Sequence, residues 1–412
     1  MDITSEIRRG LISGLKFKCK MCNLTEVIWT ENLNENLMNS NTAAVAGIIK
    51  VGAGFANMEE LFSTMNIPCM TNKTFTNENE SLSQAWQLAA LNEMSDAAKE
   101  EKNIAIGKGD VDLDGIPLIT VTVDGCWGKR SYRTNYSSSS GVASIVGQAT
   151  GKVLFLGVRN KYCCICSRAT TKQVSPAKHV CYKNWSGSSS AMESDISVEG
   201  FNNSIQMHGL IYSKFIGDGD SNFFKKILDS RPYDSVTVEK IECTNHLLRN
   251  ACNKLKEIVK CGKYGHHTLR KLLDDRILRF RTAVTMAVRF RKNEENANEN
   301  NRIRALKEDI LNVPMHIFGC HDHCASYFCK KKEEKNFIVD LKSIGLLEKV
   351  MGVVNHLADN SRSLLFKSNN NSVEQFNSII AKFVGGKRVN YSQRGSYQTR
   401  CNAAVIKYVY KF

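Results

Sequence analysis

Three acidic residues stand where predicted secondary-structure elements begin or end. Asp124 follows the β-branched apolar run 116–123, and Asp218 follows a second apolar run at 210–217. Glu374 falls in the first turn of a predicted helix. Phosphodiester chemistry with two Mg²⁺ or Mn²⁺ ions, about 3.5–4 Å apart, needs carboxylates that converge from different elements. We therefore predict that these three acids hold a pair of metal ions.

Each acid also has a purely structural interpretation. Asp124 suits a turn because it precedes Gly125, and Glu374 suits a helix start on electrostatic grounds. Asp218 and Asp220 suit a turn and a helix N-cap. Asp218 is the preferred second metal ligand because it ends the apolar run directly, whereas Asp220 is better placed to cap the next helix. The joint order of the three acids on separate elements favours the metal site.

The 15 cysteines point to zinc more than to disulfides. The first ten residues lack the apolar stretch of a secretory signal, so an intracellular chain is expected, where disulfides are rare. Cys163, Cys166, His179 and Cys181 follow a C-x2-C-x12-H-x-C spacing that predicts one tetrahedral zinc site and leaves Cys164 spare. The alternative is that these cysteines are small packed residues.

Two further cysteine groups are less complete. Cys243 and His246, together with the Cys/His-rich segment 320–329 (CHDHCASYFC), predict a second zinc site, with a satisfied polar histidine as the alternative for His246. Cys19 and Cys22 form half of a site, which Cys69 or residues upstream would have to complete.

Hydrophobic periodicity predicts an α/β fold with the order β-β-β-α-β-α-β, the order of an RNase H-like mixed sheet. The predicted strands are 116–124, 141–148, 152–159, 210–217 and 236–243, and the predicted helices between them are 193–208 and 220–228. A last helix over 373–384 places Val373, Phe376, Ile380 and Phe383 on one face and stops at Gly385.

Four segments follow from this pattern. Residues 1–110 form an N-terminal helical region with the CxxC half-site, and 111–246 form the first part of the RNase H-like core, with a Cys/His-rich loop at 160–190. Residues 247–360 are an all-α basic insertion, and 361–412 carry the last helix and a basic C-terminal segment.

The charge balance favours a polyanionic partner. Lys and Arg number 56 against 41 Asp and Glu, a net charge of +15, and no run of eighteen apolar residues predicts a membrane span. Phosphate contacts are predicted for the basic residues Arg270, Lys271, Arg276, Arg279, Arg281, Arg289, Arg291, Lys387, Arg388, Arg394 and Arg400. The alternative is that these basic residues only form a solvated helix face.

Trp127 is interpreted as a residue of the packed core more than as one that stacks on an unpaired base.

At several motifs the sequence resembles the Mutator-like transposase domain of insect Mutator-like elements, over residues 30 to 405. These motifs are Val-Asp-Gly-Cys-Trp (123–127), Asn-Trp-Ser-Gly-Ser-Ser-Ser-Ala-Met-Glu (184–193), Gly-Asp-Gly-Asp-Ser (217–221), Cys-Thr-Asn-His (243–246) and Asn-Asn-Asn-Ser-Val-Glu-Gln-Phe-Asn-Ser (369–378). The resemblance implies a DDE catalytic triad on Asp124, Asp218 and Glu374. It also implies a Cys-x2-His pair, matched by Cys243 and His246.

The function implied is two-metal cleavage of double-stranded DNA at transposon ends, followed by attack of the freed 3′-hydroxyl on target DNA. A nuclear location and a homo-oligomer assembled on DNA go with it. Two alternatives stay open: a host-adopted DNA-binding or regulatory protein that no longer catalyses, and an RNase H-like nuclease that cuts without joining.

Overall fold

The structure is a computed structural model that describes residues 1–32, 38–128, 138–217, 221–264, 267–294, 297–327, 329, 334–366 and 369–410. Three short strands open the chain as an antiparallel sheet: β1 Asp2–Arg9, β2 Ile12–Lys18 and β3 Thr25–Trp29. The sequence analysis did not predict these strands, and every residue of β1 is exposed. Cys19 and Cys22 lie in the turn between β2 and β3.

Three helices follow: α1 Ser40–Lys50, α2 Phe55–Thr64 and α3 Asn72–Lys108. The Thr71 side chain caps α3 by accepting from Thr74 N–H, and Gly109 ends the helix with a φ of 75°. Near its end α3 carries the buried Glu101, whose carboxylate accepts from the N–H and hydroxyl of Thr150 at 2.7 and 2.8 Å. This contact fixes a hairpin turn of the main sheet.

The main sheet has five strands in the order β6-β5-β4-β7-β8. Their bounds are β4 Leu118–Trp127, β5 Ser140–Gly147, β6 Val153–Asn160, β7 Ile211–Gly217 and β8 Glu239–Glu242. β4, β5 and β6 pair antiparallel, whereas β7 and β8 pair parallel. The predicted α/β class with a mixed sheet is therefore confirmed.

The first strand of this sheet is longer than predicted. Asp124 was expected to end it, but Asp124 lies inside β4, because the pairing with β5 continues through Trp127, opposite Gly141. The helices that alternate with the strands are α4 Cys164–Thr171, α5 Met192–His208 and α6 Ser221–Ser230. α5 packs on β5 and β6 and ends at Gly209, with a φ of 62°.

Six helices follow β8: α7 Thr244–Lys260, α8 His267–Lys292, α9 Glu299–Ile317, α10 Ile338–Ser343, α11 Leu346–Asp359 and α12 Ser361–Phe366. They enclose an apolar core of their own, in which Leu273, Ile310 and Val350 are almost fully buried. This stretch coincides with the region predicted to be helical and basic.

The last predicted helix is α13 Asn371–Phe383. Its buried residues are the predicted stripe of Val373, Phe376, Ile380 and Phe383. Gly385 and Gly386 end it with φ values of 61° and 67°, in a short 3₁₀ turn. A further helix, α14 Ser396–Tyr410, was not predicted.

The chain divides into two compact units. The sheet unit comprises Met1–Ser213, Asn222–Val238 and Asn371–Phe412, and the helical unit comprises Lys214–Ser221 and Glu239–Asn370. The four-segment division of the sequence stays a prediction. Among the helices described, none has the length and apolar character needed to cross a membrane.

Candidate active site

Asp124 lies near the carboxyl end of β4, half-buried and opposite Ser144 of β5. One carboxylate oxygen accepts from the N–H of Gly125 at 2.9 Å. The other accepts from Nδ2 of Asn377 on α13, also at 2.9 Å. The carboxylate is therefore oriented by a residue 253 positions further along the chain.

Glu374 lies on the same helix as Asn377, three residues earlier and exposed. Residues three apart on a helix are neighbours, with Cβ atoms about 5–6 Å from one another. Since α13 packs on β4 and Asn377 touches Asp124, the first turn of α13 brings Glu374 to the Asp124 end of the strand. Asn377, one turn after Glu374, is therefore the residue of α13 whose contact with Asp124 the structure shows.

The third predicted acid, Asp218, lies outside the described residues, as does its neighbour Asp220. The strand before them, β7, ends at Gly217 and is the neighbour of β4 in the sheet. The role of Asp218 as second aspartate stays a prediction.

A fourth acid, Glu193, lies beside this region and was not singled out from the sequence. Glu193 is in the first turn of α5, and its carboxylate carbon would be only 2.6 Å from a Cβ placed on Gly125. Successive strand residues face opposite sides of a sheet, so Glu193 approaches β4 from the side opposite Asn377. A side chain on Gly125 would therefore displace the Glu193 carboxylate from this position.

The Ser-rich motif before Glu193 fixes the start of α5. Asn184 accepts from the N–H of Asn160 at 2.6 Å and donates to the carbonyl of Val158 at 2.9 Å, so it continues the edge of β6. Ser189 donates to the carbonyl of Ser138 at 2.8 Å. The only sequence signal for Glu193 was its place at the end of this motif.

The Trp127 indole N–H donates to the Ser189 carbonyl at 2.9 Å. This bond ties the end of β4 to the Ser-rich motif. The ring is half-buried, and its interpretation as a packing residue stays a prediction.

The structure brings together Cys163, Cys166, His179 and Cys181, the four residues that share the zinc-site spacing. Their ligand atoms all lie within 4.8 Å of one another. Nε2 of His179 is 3.3 Å from the sulfur of Cys163 and 3.4 Å from that of Cys166. The sulfurs of Cys166 and Cys181 are 3.6 Å apart. The cluster has the dimensions of a tetrahedral metal site.

The electrostatics of this cluster favour a cation. The backbone N–H of Cys166 is the main cause that lowers the pKa of Cys163 to about 6, which favours its thiolate. The carbonyl of Ala177, 2.6 Å from Nδ1, and the neighbouring thiols raise the pKa of His179 to about 9. A metal cation can take the place of the proton on His179, because the thiolate beside it is already stabilised.

The sequence profile named Mutator-like transposase matches residues 1–329. The chain belongs to this family. The matched region contains Asp124, Glu193 and the Cys163 cluster, whereas α13 with Glu374 lies beyond it. A search of curated proteins found no match to the chain.

Cys243 and His246 do not join a metal-sized group among the residues described. Cys243 is fully buried, and its thiol lies 3.2 Å from the side-chain oxygen of Asn370. His246 lies in the first turn of α7. Cys19, Cys22 and Cys69 likewise belong to no such group within the described ranges.

The surroundings of Arg400 correct the expectation that this residue contacts phosphate. It is 3% exposed, and its guanidinium donates to the carbonyls of Phe383 and Ala53 at 2.6 Å and of Ile49 at 3.3 Å. Burial lowers the pKa of Arg400 to about 10, so it stays cationic at neutral pH. Its partners are backbone carbonyls in the last turns of α1 and α13 and in the connection between α1 and α2.

Three of the α8 arginines also have partners inside the helical unit. Arg270 donates to the carbonyl of Val259 at the end of α7, and Arg276 donates to that of Ile317 at the end of α9. Arg291 pairs with Asp309 at 2.7 Å. Exposed basic residues remain for a partner: Lys271, Arg279, Arg281 and Arg289 on α8, and Arg388 and Arg394 after α13.

Proposed function

We propose that this chain is the catalytic core of a DDE-type DNA transposase, which cuts DNA at transposon ends and joins the freed 3′-hydroxyl to target DNA. Membership of the Mutator-like transposase family supports a transposase-related function. The strand order, with three antiparallel strands and β7 added beside the first of them, supports an RNase H-like fold.

One observation carries the proposal: the hydrogen bond from Asn377 to Asp124. It joins the central strand to the helix that carries Glu374, which supports the proposal that acids from two elements far apart in sequence converge. Convergence of this kind is what two-metal phosphodiester chemistry requires.

The side chains at this place fit a hard divalent cation, because such ions prefer carboxylate oxygens. Asp124 and Glu374, with Asp218 as the third acid, would hold two Mg²⁺ or Mn²⁺ ions. Such ions, when bound, activate the attacking oxygen and stabilise the leaving one. Asn377 holds the Asp124 carboxylate in one orientation, and Glu193 adds a negative charge on the other side of β4.

DNA is the proposed partner because of the net charge of +15 and the exposed basic residues of α8. A homo-oligomer on DNA and a nuclear location belong to the same proposal. The Cys163 cluster is proposed to hold a structural zinc, which orders a loop whose only regular element is the eight-residue α4.

The test is metal-dependent nicking and strand transfer by the purified chain on transposon-end duplexes. Glu374→Gln is expected to reduce both activities about a hundredfold or more. This is the usual effect of removing one group that stabilises charge in a transition state. Glu60→Gln, at an exposed position of α2, is the matched control and should leave both unchanged.

Each alternative has its own outcome. Nicking without joined products would replace the transposase by a nuclease. Binding to DNA without any metal-dependent nicking would leave a regulatory protein. Equal activity of wild type and Glu374→Gln would remove the catalytic assignment.

A further inference from the structure

A second Cys/His cluster lies in the helical unit, at the end of α9. It comprises His316, His321, Cys324 and Cys329, all half-buried, with ligand atoms within 4.8 Å of one another. His316 was not a candidate from the sequence, because it lies inside a helix, four residues before the Cys/His-rich segment. Cys320 and His323, which were candidates, are not part of the cluster.

The interatomic distances are those of a tetrahedron around a zinc-sized ion. Zn–N bonds of about 2.0–2.1 Å and Zn–S bonds of about 2.3 Å place two nitrogens about 3.3 Å apart, and a nitrogen and a sulfur about 3.6 Å apart. The Nδ1 atoms of His316 and His321 are 3.2 Å apart. The Cys324 sulfur lies 3.3 and 3.6 Å from these nitrogens, and the Cys329 sulfur lies 3.5 Å from Nδ1 of His321.

The backbone around α9 builds this arrangement. Gly319, with a φ of 93°, turns the chain back, and a side chain there would meet the carbonyl of Lys335 at 2.4 Å. The N–H of Cys320 then donates to the carbonyl of Met315 at 2.9 Å. The turn places the following residues over the last turn of α9, where His316 lies.

The described residues after this turn contain no helix or strand before α10. A second anchor exists at Tyr327, whose hydroxyl donates to Asp309 at 2.9 Å and whose ring stacks on Phe290 at 3.9 Å. None of the residues between Gly319 and Tyr327 is fully buried. A metal ion held by side chains from both the helix and this stretch would supply that order.

We propose that His316, His321, Cys324 and Cys329 bind one structural zinc ion that fixes the segment after α9 to the end of that helix. The site is separate from Asp124 and Glu374 and from the Cys163 cluster. Its ligands are two nitrogens and two sulfurs, whereas the Cys163 cluster offers one nitrogen and three sulfurs.

Zinc content of the full chain tests the proposal. The double variant Cys166→Ser/Cys181→Ser removes the other cluster, so any zinc left reports on this one. We expect about one zinc ion per chain in this background, because a structural site with four protein ligands holds one ion. Adding His316→Ala or Cys324→Ser should remove it, whereas Cys320→Ser and His323→Ala, the neighbours outside the cluster, should not. Circular dichroism of each variant is the control that tests whether it is folded.

A second measurement, cobalt(II) binding, does not depend on the variants that lose a ligand and fail to fold. Cobalt(II) in the same background should give a tetrahedral spectrum with sulfur-to-cobalt charge transfer, and His316→Cys should retain the metal with a stronger charge-transfer band. A folded background variant without zinc, or loss of zinc in Cys320→Ser equal to that in Cys324→Ser, would overturn the proposal. Retained zinc in His316→Ala would remove His316 from the ligand set.

The same data test the zinc proposed for the Cys163 cluster. Wild type should hold about two zinc ions, one for each closed site. If the Cys166→Ser/Cys181→Ser variant binds as much zinc as wild type, the first cluster is merely packed, and the second proposal is unaffected.

Discussion

Arg400 of the sheet unit and three arginines on α8 of the helical unit were predicted from the sequence to play the same part, and their surroundings differ. Arg400 is enclosed and donates to three backbone carbonyls, while Arg279, Arg281 and Arg289 are exposed. Two of these carbonyls, those of Ile49 and Phe383, belong to the last turns of α1 and α13, where helices leave acceptors without intrahelical donors, and that of Ala53 lies between α1 and α2. An arginine that reaches a helix end becomes part of the fold, and one that does not is left for solvent or a ligand.

The largest expected effect is the loss of Arg400. Arg400→Met should reduce the free energy of unfolding by about 3–5 kcal/mol, because three carbonyls lose their donor. Urea unfolding measures the loss, with the exposed Arg388→Met as control, expected to change stability by about 0.5 kcal/mol or less. A similar small change in Arg400→Met would mean that the two kinds of arginine do not differ.

Glu193 of the sheet unit extends the comparison, because we expect it to affect DNA cleavage and not stability, whereas Arg400 affects stability. Glu193→Gln should lower metal-dependent nicking about tenfold to a hundredfold, since the carboxylate beside β4 loses its charge. Stability should be nearly unchanged. Glu199→Gln, on the exposed face of α5, is the control and removes a surface ion pair with Arg159. Equal nicking by both variants would show that Glu193 only packs against Gly125.

The smallest effect belongs to the exposed arginines of α8. The triple variant Arg279→Ala/Arg281→Ala/Arg289→Ala should weaken binding to transposon-end and random duplexes alike. Each lost phosphate contact should reduce the slope of log affinity against log salt by about 0.9. Arg276→Ala is the contrast: it should cost about 1–2 kcal/mol of stability, as the Ile317 carbonyl loses its donor, and leave the slope unchanged. An unaltered slope in a folded triple variant would exclude DNA tracking by α8.

Much of the main sheet and of α13 followed from local periodicity. The apolar runs predicted β4 to β7 to within a few residues, and the stripe from Val373 to Phe383 predicted the buried face of α13. β1 could not be found in this way, because all of its residues are exposed and none forms a buried stripe, and β2 and β3 were also missed. α14 was missed because it was interpreted as a basic segment, although its arginine is buried.

The two cysteine clusters differ in whether the local sequence spacing is enough to predict their members. The Cys163 group follows a short spacing within one loop, and the structure assembles the same four residues. The second group takes His316 from α9 because the turn at Gly319 folds the chain back over it. The spacing of cysteines and histidines does not reveal that turn, so Cys320 and His323 were candidates on the same footing as the cluster residues.

The sequence alone determined which residue types stand at element boundaries, since helix and strand periods are local properties of the chain. It was enough to name Asp124, Glu374 and the zinc-spaced loop. Only the tertiary structure decided that Asn377 holds Asp124, that Glu193 lies against Gly125 and that Arg400 caps two helices. Each of these contacts joins residues far apart in the chain, and packing of the sheet against α5, α13 and α14 brings them together.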